Sequence, residues 1–313
     1  MQLLKAIARR GFSHLGLEIT RKSPNPSAPP ARPQSDGEVR PSSTEQIPWG
    51  PGYAEARDRF VGQALADPHL LTRFAEQREL PERYGIGFDE RCVEYPWALT
   101  QLPHGCETVL DAGSVLNYRF ILEHDLIKEK HLHVITLAPE LHCFWEKGIS
   151  YLFDDLRRIP TRDAYYDAIV CVSTLEHVGF DNSLFTQQHA EECRPDDFRI
   201  VMKEFSRVLK PGGSLLLTVP FGKRQEFGGF QQFDVNLLSQ AIDGFGATSA
   251  LVKNFYRYTT EGWKIAMMGE CSESEYVQWV GRAFSGQAWP QPLFQEPDGA
   301  AAARAVACVK VTK

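Results

Sequence analysis

YDAIVCVSTLEHVG, residues 166–179, and EFSRVLKPGGSLLLTVPFG, residues 204–222, each hold a short, nearly unbroken apolar run that stops at a polar or glycine-bearing turn. The runs are AIVCVS (168–173) and SLLLTV (214–219), of strand rather than helix length. Strands without polar alternation are buried on both faces, as in a parallel sheet covered by helices. Residues 195–209, just before the second run, have helical apolar spacing, and Pro211-Gly212-Gly213 supplies the reversal between helix and strand. Working outward, TVLD (108–111), HVITL (133–137) and SYLF (150–153) read as further strands, with segments of helical length between them. Runs at 249–255, 264–268 and 305–311 would add antiparallel strands at one edge. The expected class is α/β, a doubly wound, mostly parallel sheet. No repeat or heptad pattern is evident.

Ahead of the sheet, residues 53–83 show helical spacing at Phe60, Val61, Ala64 and Leu65, then at Leu70, Leu71 and Phe74, with Asp67-Pro68 between. Two short helices capping the sheet are expected there. Residues 23–51 hold eight of the chain's 20 prolines and almost no large apolar side chains, so they cannot offset their ordering entropy and read as a linker. Residues 1–22 carry five basic side chains against the single acid Glu18. Their pattern leaves open a targeting segment, a weak membrane-surface contact, or a frayed helix. The expected division is therefore a basic arm (1–22), a proline-rich linker (23–51), a helical cap (52–100) and the α/β domain (101–313).

Composition narrows the function. Thirty-four Lys and Arg against 40 Asp and Glu give a net charge of -6, so the basic surplus of a nucleic-acid binder is missing. The seven cysteines are scattered without a C-x-x-C pair or zinc spacing, which fits a reduced, cytoplasmic compartment. No apolar stretch approaches the roughly 18 residues that a membrane span needs.

Ligands of doubly wound sheets bind beyond the carboxyl ends of the strands. Here those ends read ETVLDAGSVLN (107–117), ITLAPE (135–140), DDLRRIP (154–160) and CVSTLEHVG (171–179). Together with RVLKPGG and its following strand, this series resembles the class I S-adenosylmethionine (SAM) dependent methyltransferases of the type 11 kind, over about residues 107 to 222. The resemblance implies a Rossmann-like methyltransferase fold, with SAM as cofactor and a small molecule or carbohydrate as methyl acceptor. The wording of CVEYPW (92–97) with the strand-end motifs is also similar to bacterial proteins linked to surface polysaccharide or secondary metabolites.

Residue by residue, the resemblance implies that Asp111, Gly113 and Ser114 form the loop around the methionine end and sugar. Glu140 would accept the ribose hydroxyls, and Asp155 with Leu156 would meet adenine. Ser173 ends the fourth strand beside the sulfonium, where His177 either takes a proton from the acceptor or orders the loop with Glu176. Phe221, Lys223 and Arg224 follow the fifth strand as candidate acceptor contacts, against a solvated loop. Asp181-Asn182 lacks a third carboxylate at a fitting place, so no metal is expected. The chain departs from D-x-G-x-G-x-G, with Val115 and Asn117 where two glycines are usual. Two readings follow: a methyltransferase of an oxygen or nitrogen, and a methyltransferase-like scaffold without catalysis. A nicotinamide-dependent oxidoreductase is weaker, because G-x-G-x-x-G is missing after the first strand.

Overall fold

The computed structural model describes residues 47–105, 107–186, 192–290, 293 and 295–313. The basic arm, and the linker as far as residue 46, lie outside the described residues. Helices α1 (Tyr53–Ala66), α2 (Pro68–Ala75) and α3 (Arg91–Thr100) come first. Five strands follow: β1 (Thr108–Ala112), β2 (His131–Thr136), β3 (Ser150–Phe153), β4 (Tyr166–Val172) and, after α4 (Phe198–Val208), β5 (Leu209–Pro220). A two-stranded ribbon, β6 (Gln225–Glu226) and β7 (Gln231–Gln232), leads to α5 (Val235–Phe245). The chain closes with β8 (Ala250–Thr259), β9 (Gly262–Ala266), α6 (Gln278–Phe284) and β10 (Ala305–Thr312).

The eight-stranded sheet has the order β3-β2-β1-β4-β5-β10-β8-β9. The first five strands pair in parallel, and β10, β8 and β9 join antiparallel at one edge. Strand order reverses between β1 and β4, the point at which such sheets open a crevice. Side chains alternate between two cores. Val109, Val134, Val170 and Leu216 face one layer, and Leu110, Ile135, Ile169 and Leu217 face the other.

The second layer is the expected one. In α4, Phe198, Val201, Met202, Phe205 and Val208 recur at helical spacing and are all buried, beside Leu237, Leu238 and Ala241 of α5. The first layer differs from expectation. Between β1 and β2 only Arg119–Leu122 is helical, and between β2 and β3 only a turn of 3-10 helix at Trp145–Lys147. Residues 123–130, EHDLIKEK, offer Leu126 and Ile127 among charges, too little to bury a helical face. Helices α1–α3 cover that side instead. Trp97, Ala98 and Leu99 of α3 are fully buried in the same core as Val109 and Val170, each large side chain contributing roughly 1.5–3 kcal/mol. The break between α1 and α2 follows local rules. Asp67 accepts from the N–H groups of His69 (2.9 Å) and Leu70 (3.2 Å), and Pro68 fills the first helical position.

Candidate active site

The turn after β1 is built on one glycine and one carboxylate. Gly113 has φ of +108°, and a Cβ there would lie 2.2 Å from Thr174 Oγ1, so the β1 and β4 turns can meet only over glycine. Asp111 turns its carboxylate under the loop, where Oδ1 accepts from Val115 N and Oδ2 from Leu116 N, both at 2.8 Å. Burial pushes this carboxyl up to about 7 against the pull of those two N–H groups.

The two residues that replace glycines have structural work. Val115 packs into the core beneath α1–α3. Asn117 stitches the β1 turn to the β2–β3 loop: its Nδ2 donates to His142 O at 3.1 Å, and its Oδ1 accepts from Tyr151 Oη at 2.8 Å.

A cavity of about 320 Å³ opens above these turns, within the size range of small-molecule sites. Its strand-tip wall includes Gly113, Ser114, Glu140, Asp155, Leu156, Ser173 and His177. Asp111 departs from the expectation of cofactor contact. Its carboxylate is fully buried and saturated by the loop N–H groups, so it shapes the wall without lining it. Ser114 Oγ is buried without a hydrogen-bond partner among the described residues. Burial raises the Glu140 carboxyl, with the nearby Ser114 and Asn117 opposing.

Asp155 is engaged by Arg157, whose backbone N (2.8 Å), Nε (3.1 Å to each oxygen) and Nη2 (2.6 Å) all donate to it. Burial would raise this carboxyl, but the arginine outweighs it and holds it below its ordinary range. Arg157 is fixed in turn by Asp197 at 2.7 Å and by Glu192.

His177 donates Nδ1–H to Gly229 O at 2.9 Å, which leaves Nε2 as the acceptor nitrogen. Burial lowers its pKa to about 4, so the ring is neutral at pH 7 and a weak proton acceptor. Phe221 is fully buried against Phe255, Lys223 pairs with Glu275 at 3.0 Å, and Arg224 with Glu226 at 2.7 Å. None of these three lines the cavity. The reason is local: β5 pairs with β10 up to Pro220, and Phe221 N then bonds Ala305 O, which turns the segment into the second core.

The facing wall was not foreseen. Arg57, Asp89, Glu90, Arg91 and Tyr95 reach it from α1–α3 and the segment between, and Phe230 and Tyr276 from the chain after β5. Glu94 joins the walls. Its Oε1 accepts from Ser173 Oγ and Thr218 Oγ1, each at 2.6 Å, and its other oxygen pairs with Arg91. One signal was present in the sequence: an acid in the middle of the run CVEYPWAL is a buried charge that needs a partner. A larger open cleft of about 710 Å³ lies near β8, lined by Arg257, Glu275, Arg282 and Arg304 among others, and by none of the motif residues.

Residues 129–217 match the family model described as "Methyltransferase domain". Over this stretch, 89 of the chain's 313 residues, the chain is similar to methyltransferase domains. The match begins after the β1 turn, so the methyltransferase domain is matched through β2 to β5 and the divergent loop stands before it. No curated protein matches the chain. Among solved structures, it is similar to the 1,6-didemethyltoxoflavin N1-methyltransferase of Burkholderia thailandensis at 12% identity, covering 66% of this chain and 71% of that one, with a TM-score of 0.38. The [4+2]-cyclase SpnF gives 15% identity, 81% and 94% coverage and a TM-score of 0.44. The N-methyltransferase NodS of Bradyrhizobium japonicum gives 11%, 83% and 97%, and 0.36. Among the described residues, no helix is long and apolar enough to cross a membrane.

Proposed function

We propose that the protein transfers the methyl group of SAM to an oxygen or nitrogen of a small metabolite or sugar. The observation that carries this reading is the convergence of Gly113, Ser114, Glu140, Asp155, Leu156, Ser173 and His177 on one cavity at the switch point of the sheet. The cavity fits the cofactor. The Ser114 hydroxyl and the Glu140 carboxyl lie beside one another on the cavity wall as polar groups for a ligand, and Gly113 keeps the loop free of a side chain.

When bound, SAM supplies an electrophilic methyl: the acceptor's lone pair forms the new bond to carbon, the C–S pair stays on sulfur, and the acceptor's proton leaves. Gly113 and Ser114 would hold the methionine end, Glu140 the ribose hydroxyls, and Asp155 and Leu156 the adenine, with Asp111 keeping the loop in place. The fixed tautomer of His177 presents Nε2 as an acceptor, but its low pKa gives it little pull on a proton. Its bond to Gly229 supports a positioning role, and rate enhancement then rests on holding the acceptor in line.

A second reading, a scaffold without catalysis, is favoured by one observation: the Asp155 carboxylate is already engaged by Arg157. Calorimetry with SAM separates the two. Binding that weakens at least tenfold in Gly113→Ala supports methyl transfer, whereas no heat at millimolar SAM from folded protein overturns it.

A further inference from the structure

Charges around the cavity do not balance. Arg57 gives Nη1 to Asp89 at 2.8 Å and Nη2 to Asp58 at 2.9 Å, and Arg91 is paired with Glu94. Both cations are thereby matched. Glu90 and Glu176 are left without an ion pair among the described residues, although both line the cavity. Glu90 Oε2 accepts from Ala303 N, at 3.2 Å. Glu176 is 2% exposed, and its Oε2 has no hydrogen-bond partner among the described residues.

A buried acceptor left unsatisfied costs about 1–3 kcal/mol, more when charged, and an occupant of the cavity that donates a proton removes that cost. Phe230 and Tyr276 stand on the same wall with ring centroids 5.1 Å apart. Carboxyl groups beside aromatic faces are the surroundings in which a nitrogen cation is stabilised. An anionic acceptor would instead find the Arg57 and Arg91 guanidiniums of this wall already paired.

We propose that the acceptor subsite takes a primary or secondary amine on a planar apolar body, its N–H donated to Glu176 Oε2 with Glu90 as the second carboxyl. This rests on the methyl-transfer reading and narrows its substrate class to nitrogen. Burial, and then the neighbouring carboxyls, hold both acids above the ordinary carboxylate range.

The test uses three probes of one shape, benzylamine, benzyl alcohol and benzoate, titrated by ligand-observed NMR into the full chain at pH 7.5, with and without S-adenosylhomocysteine. Benzylamine is expected to bind at least ~10-fold more tightly than benzyl alcohol, and benzoate more weakly than either. Glu176→Gln should weaken benzylamine ~10-fold and leave benzyl alcohol within about twofold. Glu90→Gln, expected to act in the same direction, decides the matter should the first variant not fold. Equal or tighter binding of benzoate, no binding of any probe, or an unchanged preference in both variants overturns the amine subsite. S-adenosylhomocysteine is also titrated alone. Its binding without an amine preference defeats this inference and leaves methyl transfer standing. Its failure to bind defeats methyl transfer, while the arm without it still decides the subsite.

Discussion

Asp111 and Glu176 are both buried carboxyls at strand ends beside one cavity, yet their partners differ completely. Asp111, fully buried, has an N–H group on each oxygen and serves to lock a turn. Glu176, 2% exposed, has an oxygen with none among the described residues. The same contrast holds between the walls. The strand-tip side is made of turns that satisfy themselves: Asn117 on His142 and Tyr151, Asp155 on Arg157, His177 on Gly229. The facing side holds ion pairs, Arg57 with Asp89 and Asp58 and Arg91 with Glu94, and leaves Glu90 over, while Glu176 is the exception on the strand-tip side. Self-satisfied turns hold a shape that many ligands could use, whereas unmatched groups state what a ligand must bring.

Glu94, where the walls meet, offers the hardest way to break this contrast. Glu94→Ala would leave the half-buried Arg91 guanidinium without its partner and the buried hydroxyls of Ser173 and Thr218 without their acceptor, and should cost about 3–5 kcal/mol by urea denaturation. A loss below about 1 kcal/mol would mean that the walls stand independently.

His177 comes next, and its effect depends on pH. Its folded pKa, about 4, lies below the ordinary 6.5, so the unfolded chain binds more protons between those values. The stability it contributes is complete above pH 6.5 and is lost as pH falls through 4. His177→Asn, whose amide can still donate to Gly229 O, should remove on the order of 2–3 kcal/mol of the stability difference between pH 6.5 and 4. Urea midpoints at the two pH values measure it, and an unaltered slope would refute the assignment.

Asp111→Asn deprives one of the two loop N–H groups of its acceptor and should cost about 1–3 kcal/mol while weakening SAM binding measured by calorimetry. Ser114→Ala is the mildest and sharpens the contrast most. The hydroxyl's polar neighbour is the Glu140 carboxyl, so stability should change by less than about 0.5 kcal/mol, while SAM affinity falls roughly 3- to 10-fold. Unchanged affinity would remove Ser114 from the cofactor wall.

Strand periodicity, the α4 helix with its following Pro-Gly-Gly reversal, and the Asp67-Pro68 helix break were legible because each depends on neighbours a few residues apart. The glycine at 113 was legible for the same reason. Where the reading reached too far, a local cue met tertiary packing. The crossover segments had helical length but lacked an apolar face, and Phe221 looked exposed at a strand end until β10 paired beside β5.

The sequence by itself determined a parallel sheet with two buried faces and the strand-end residues from Gly113 to His177, since alternation and turn chemistry are written in consecutive residues. Only the tertiary structure decided that α1–α3 complete the first face and that Glu94 meets Ser173 and Thr218, 79 and 124 positions away. It also decided that Glu90 and Glu176 share a cavity in which, among the described residues, neither forms an ion pair. Buried charges need partners, and nothing in their local sequence says which distant segment will supply them.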